Sequence, residues 1–371
     1  MSVSAAKGAV QPRPEIEELP HYRPGVPAQQ RAGLSGFKLS SNENPFEPLP
    51  AVVDAIRRAD RHNVYPDPTA LPLREKLSQV LQVPASCIVA GAGSLAVLND
   101  ILRVFAGRRP DGSRDEIVYA WRSFESYPIS IGETGARAVP VPLRPDLTHD
   151  LEGMLAAITE RTKIVILCTP NNPTGPALGH AEVREFLSRV PAHVLVVIDE
   201  AYIEYVRTAD RLDSLALQRE FPNALILRTF SKAHGLAALR VGYCVAREEI
   251  TRHLTTVAVP FAVSQAGQMA AIASLDELPA VRDRVEWTVR ERTRVRDELL
   301  TLGLSVPDAQ GNFVWLPLGA GAEQFTALCS AQALAVRPFA GEGVRVSIGL
   351  PEAHDRLLAL TRTYLRSRGA R

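Results

Sequence analysis

The sequence predicts an α/β protein, with a mostly parallel central sheet, helices on both of its faces, and a smaller α/β domain after it. Three observations carry this. Short apolar runs alternate with helix-period segments through the middle of the chain, and those runs lack the polar alternation of a half-exposed strand. After about residue 255 the pattern changes to one long helical stretch followed by short strands. The 371 residues exceed what one core accommodates. The expected division is 1–45 as an N-terminal arm and part of the small domain, 46–255 as the large domain, and 256–371 as the small one.

Taken in order, "EIVYA", "ARAVPVP", "KIVILC", "HVLVVID" and "ALILRTF" read as buried strands rich in Val, Ile and Leu. Between them, "HDLEGMLAAIT" and "AEVREFLSRV" place apolar residues at helical spacing. Strand and helix in alternation make a parallel sheet, and ligands on such sheets gather at the carboxyl ends of the strands. Loops such as "CTPNNPTG" and "DEAY" fall there. Beyond them, "ELPAVRDRVEWTVRERTRVRDELLTLG" reads as a helix stopped at Gly303, followed by strands "NFVWLPL" and "GVRVSIG" and a last helix through "HDRLLALTRTYLRSR".

Composition excludes several classes. A net charge of +1 and no run of like charges leave no footprint for nucleic acid or an anionic membrane. Cys87, Cys168, Cys244 and Cys329 have no ligand spacing, so no metal is expected, and they suit the reducing cytoplasm. The start, "MSVSAAKGAVQPRPEIEELPHYRPG", lacks an apolar core and reads as an extended arm rather than a signal peptide or membrane span. That arm leads into the fold or lies across a partner subunit.

Lys232, in "RTFSKAHGLAALRVGY", is one of five lysines among 42 basic residues. Arginine serves where only charge is needed, whereas an amine can lose its proton and condense with an aldehyde. Thr229, Ser231 and Arg240 around it offer hydroxyls and a guanidinium to a phosphate. "AGAGSLAVL" adds glycines before a helical pattern, another anion cradle, though the dinucleotide motif is not completed. Asp199 ends an apolar strand, where its charge needs a cationic partner such as a protonated pyridine; alone it reads equally as a strand-end acid. Tyr202 follows three residues later, and Asn172 sits in the turn "TPNNPTG". Phe124 and Tyr127, in "AWRSFESYP", offer a ring to stack on a heteroaromatic cofactor or simply a buried aromatic pair.

In this order the motifs resemble the fold type I pyridoxal-phosphate enzymes, and among them the histidinol-phosphate and aromatic amino acid aminotransferase group. The likeness runs from "LSSNENPFEPLP" and "YPDPTALPLREKL" through "NFVWLPLG" to "VRPFAGEGVRVSIG", nearly the whole chain. It implies pyridoxal 5'-phosphate as cofactor, Lys232 as the Schiff-base lysine and Asp199 as the pyridinium partner. Tyr202 and Asn172 would hold the ring hydroxyl and Phe124 would stack. The phosphate would lie against Ser94, Leu95, Thr229, Ser231 and Arg240. Tyr65 would reach the phosphate of the other subunit, implying a homodimer with shared active sites. Arg345 would grip the substrate carboxylate or phosphate, with Asn312 beside it and Arg337 nearby. The implied reaction is transamination between an amino acid and a 2-oxo acid.

Departures from the family pattern bear on substrate. Histidinol-phosphate enzymes usually carry an acidic pair where this chain has Leu95 and Ala96, which leaves an apolar wall. With "WRSFESYP" this is closer to the actinobacterial aromatic, phenylalanine-type branch. Histidinol phosphate stays an alternative donor. His234 stands where many relatives carry tyrosine, and Pro68 interrupts "YPDPT". Both leave open a non-transaminating outcome such as decarboxylation, oxidative deamination or elimination. A non-catalytic regulator on the same scaffold is disfavoured by the retained Lys232, Asp199 and Arg240.

Overall fold

The computed structural model describes residues 10–369, so residues 1–9 of the expected arm and the last two residues lie outside it. A seven-stranded sheet runs in the order Ile88–Gly91, Gly242–Val245, Ala224–Thr229, Leu195–Asp199, Thr162–Cys168, Glu116–Trp121, Arg137–Pro142. The five strands expected from apolar runs are all present and mutually parallel. Gly242–Val245 pairs antiparallel with both of its neighbours. It and Ile88–Gly91 were not anticipated as strands. Each has only four residues and a terminal glycine, which gives periodicity little to act on.

Successive residues of a strand face opposite sides. Val197 and Leu225 therefore join a core with helices Ser94–Phe105 and Ser126–Thr134. Val196 and Ile198 join one with helices Leu151–Ala156 and His180–Arg189. Each fully buried aliphatic side chain in these layers contributes about 1.5–3 kcal/mol. The strand ends and the loops after them are thereby fixed in place.

A second core belongs to the small domain. There Phe313–Leu316, Gly343–Ser347 and Arg337–Phe339 form a three-stranded antiparallel sheet against helices Leu278–Thr301, Ala322–Ala331 and Pro351–Gly369. Phe37–Lys38 pairs with Leu334–Ala335, and Leu39 enters the same core, which ties the N-terminal segment to this domain. Val263, Ala270, Ala271 and Leu275 instead share a core with helices Pro50–Arg58 and Leu71–Leu81 of the large domain. Helix Gln265–Asp276 thus packs on the far side of the boundary expected near 255, and we place that boundary after Asp276. No helix among the described residues is long and apolar enough to cross a membrane.

Candidate active site

A cavity of about 490 Å³ opens where the parallel strands end and the small domain packs against them. Asp199, Thr229 and Cys168 are the last residues of their strands and line it. So do Ser94, Leu95, Phe124, Asn172, Tyr202, Ser231, Lys232 and Arg240, and from the small domain Arg337 and Arg345.

Asp199 is buried and its carboxyl is asymmetric: Oδ2 accepts from the Tyr127 hydroxyl at 2.8 Å, while buried Oδ1 has no partner in good hydrogen-bond geometry among the described residues, the Ala201 backbone acting on the carboxyl only weakly. Burial pushes its pKa up to about 6, with the Tyr127 bond acting in the opposite direction. Tyr127, a stacking candidate from sequence, is fully buried with its hydroxyl committed to Asp199. Phe124 is left as the ring facing the cavity.

Lys232 Nζ donates to the backbone oxygens of Ser41 and Asn42 at 3.3 and 3.2 Å. Desolvation, followed by the Arg345 cation, pushes its pKa down to about 7. Asn42 is a residue that sequence reasoning passed over. It takes a positive φ of 52°, which Asn tolerates better than most side chains. Its Nδ2 donates to the Tyr202 hydroxyl at 3.0 Å, and its carbonyl accepts from Asn312 Nδ2 at 3.1 Å. Asn312 accordingly stands behind Asn42 and does not line the cavity.

Arg345 Nη1 donates to Asn172 Oδ1 at 2.5 Å and Nη2 to the Ser40 carbonyl at 2.8 Å, while buried Nε has no partner. The bond fixes the Asn172 amide, leaving its NH₂ to donate elsewhere. Arg337 is already engaged, with Nη2 on Glu125 Oε2 at 2.6 Å and Nη1 on the Pro24 carbonyl at 2.9 Å.

At the other end of the cavity, helix Ser94–Phe105 starts after Gly93, whose φ is 88°. A Cβ at Gly93 would come within 2.2 Å of Arg240 Nη2, and one at Gly242 within 2.2 Å of the Ser94 nitrogen. Thr229 and Ser231 hydroxyls are 3.0 Å apart, and Arg240 Nη1 lies 3.4 Å from Ser231 Oγ. Free helix N–H groups, two hydroxyls and a guanidinium thus converge on one spot, a donor set made for a phosphate.

Two sequence candidates lie elsewhere. Tyr65 is 79% exposed, stacked on Phe261 at 4.5 Å and outside the cavity of its own chain. His234 turns away from the cavity, with Nδ1 2.7 Å from Ser274 Oγ and its ring against Phe230, and burial pushes its pKa down to about 4. Pro68 borders a different, smaller pocket. Among the described residues no group of His, Cys, Asp and Glu is placed to hold a metal.

A lysine, a buried carboxylate and a donor set suited to a phosphate thus line one cavity at the ends of the parallel strands. Residues 35–359 match the family model of the class I and II aminotransferases, and the chain belongs to that family. It is 49% identical over 353 residues to an aromatic amino acid aminotransferase of Thermobifida fusca, covering 95% of this chain and 96% of that one. The corresponding protein of Streptomyces avermitilis is 47% identical, with 95% and 97% covered. Histidinol-phosphate aminotransferase of Sinorhizobium meliloti, solved with pyridoxal-5'-phosphate, superposes with a TM-score of 0.84 at 28% identity, covering 99% of this chain and 100% of that one.

Two predictions follow from the geometry. A pKa raised from 3.8 to about 6 means the folded state holds the Asp199 proton more tightly than the unfolded one. That stability is fully present below pH 3.8 and is lost as pH rises through 6, a difference of about 3 kcal/mol. Cofactor-free Asp199→Asn is therefore expected to exceed cofactor-free wild type in urea-unfolding stability at pH 7.5 and to lose that margin at pH 4. Gly93→Ala should keep the fold but weaken cofactor binding at least about tenfold, through strain at positive φ and displacement of Arg240. Equilibrium dialysis with pyridoxal phosphate measures it.

Proposed function

We propose that this chain is a pyridoxal-phosphate-dependent transaminase of aromatic amino acids of the phenylalanine and tyrosine type, with a 2-oxo acid as acceptor. The observation that carries the reading is buried Asp199, with one carboxyl oxygen unpaired among the described residues, lining the same cavity as an amine of pKa about 7. Asp199 would take the pyridine N–H, Tyr202 and the Asn172 amide the ring oxygen, and the Ser94 turn with Thr229, Ser231 and Arg240 the phosphate. Bound there, pyridoxal phosphate supplies an aldehyde that receives the amino group and a ring that takes up the electron pair left at Cα.

Lys232, with about half of its amine neutral near pH 7, would be the base that takes the Cα proton and, once protonated, the acid that gives it back. Asp199 would pair with the ring N–H and hold its proton in place. Arg345, whose guanidinium carries the positive charge on this side of the cavity, would hold the substrate carboxylate. Leu95, Phe124, Ile129 and Phe339 give the same cavity an apolar wall that suits an aromatic side chain. The Thermobifida and Streptomyces relatives are named aromatic amino acid aminotransferases, in agreement with that donor class. The two departures that suggested a different outcome, His234 and Pro68, both lie off the cavity.

The dimer belongs to the same proposal. Val64, Tyr65, Val257, Val259 and Phe261 are exposed apolar residues in two neighbouring segments, and such patches mark interfaces. Tyr65 stands among them, suited to serving the other copy's phosphate site. The four free cysteines, three of them buried, suit the cytoplasm.

Mixing holoenzyme anaerobically with L-phenylalanine and no acceptor should yield phenylpyruvate and pyridoxamine phosphate. Lys232→Ala should lower that rate by about 10²–10⁴-fold. Absence of phenylpyruvate alongside turnover of histidinol phosphate would overturn the aromatic assignment in favour of that donor. Sedimentation should find a dimer, and Phe261→Asp should shift it towards monomer with at least about tenfold lower turnover. A dimer that persists, fully active, in Phe261→Asp would place the interface elsewhere.

A further inference from the structure

Arg337 and Arg345 are direct cross-strand partners in the antiparallel pair Arg337–Phe339 and Gly343–Ser347. Both are buried and both line the cavity, so two like charges sit side by side where burial makes repulsion costly. Their surroundings differ. Arg337 meets a carboxylate, Glu125 Oε2, at 2.6 Å, whereas the hydrogen-bonding partners of Arg345 are the neutral oxygens of Asn172 and Ser40. Glu125 also lines the cavity, from the start of helix Ser126–Thr134 in the large domain. The arginine pair and Glu125 together leave a single net positive charge, and it resides at Arg345.

We propose that Glu125 sets the charge of the anion the site accepts, selecting a carboxylate monoanion over a phosphate-monoester dianion by cancelling Arg337. This rests on the aminotransferase reading above and gives it a substrate filter. A substrate carboxylate brings one negative charge to Arg345 and leaves the trio balanced. A phosphate monoester brings nearly two, which calls for both arginines, yet one is occupied and its occupant repels the newcomer. Releasing Glu125 is disfavoured because its side chain is 29% exposed against 10% for Arg337, so separation would strand the buried cation. The Pro24 carbonyl alone would then remain on Arg337. Discrimination against the dianion thus arises from a repulsive element as well as from a missing attractive one.

The test uses two ligands that differ in the anion and share the phenylethyl group: 3-phenylpropanoate and 2-phenylethyl phosphate. Their Kd values on the pyridoxal-phosphate holoenzyme are measured by calorimetry at pH 8, with cofactor absorbance reporting an intact site in every variant. Wild type should favour the carboxylate. Glu125→Gln should shift the ratio of the two Kd values at least about tenfold towards the phosphate ester. Combining it with Arg337→Gln, which restores one net positive charge, should return the ratio towards wild type. An unchanged ratio in Glu125→Gln, or a shift that survives removal of Arg337, overturns the role of Glu125 while the aromatic reading stands. Failure of wild type to bind either ligand would remove both.

Discussion

A carboxylate held in an apolar sheet with one oxygen unsatisfied is the constraint around which the site is arranged. Asp199 sits at the end of a strand whose other residues are fully buried, and burial opposes its charge. Tyr127 satisfies Oδ2 and fixes the carboxyl plane, so the remaining oxygen faces a defined direction and is worth most to a buried cation. Without such a cation the residue destabilises the folded chain near neutral pH; with one, the same burial strengthens the pair, because the surrounding dielectric is low. The strand stack supplies the rigidity that makes an unsatisfied acceptor tolerable.

The second half of the site depends on domain packing. Arg345 belongs to the small domain and Asn172 to the large one, and their bond orients the amide that faces the cavity. Arg337 reaches across to Glu125, and Arg122, from the end of a large-domain strand, pairs with Glu342. Partly exposed ion pairs add little to stability. Their consequence here is positional: they join the two cores, and with them the strands that carry Arg345 and the segment that carries Lys232.

The fold was legible where burial was two-sided. "KIVILC" and "HVLVVID" declare strands because the residues between their polar ends are continuously apolar, and the helices between them have a clear period. The four-residue antiparallel strands had no such signal, and helix Gln265–Asp276, rich in small residues, gave no clue that it would return to the large domain. In the site, Lys232 and Asp199 were legible from chemistry because each is costly to bury without a partner, and Arg240 because it falls beside two hydroxyls suited to a phosphate. Asn42 was not. Its contacts lie with Tyr202, Lys232, Asn312 and Ser347, far along the chain, and only the packed structure brings them together. Tyr127 was noticed as a ring, whereas its part is played by the hydroxyl.

His234 shows how a departure in sequence acquires meaning only from direction. Two residues from Lys232, it could be taken for a second proton carrier at the reacting centre. Its side chain leaves on the opposite side, bonded to Ser274 and packed on Phe230 in the core shared with helix Gln265–Asp276. Burial with a pKa of about 4 keeps it neutral at working pH, so it neither supplies a proton nor adds charge near Lys232. The groups left to govern what happens at Cα are those that face the cavity. Among the described residues that line it, Lys232 has an amine whose pKa is pushed down to about 7, whereas the carboxyl of Asp199 is engaged by Tyr127. Lys232 would then both take the Cα proton and give it back, the double role that transamination asks of one base.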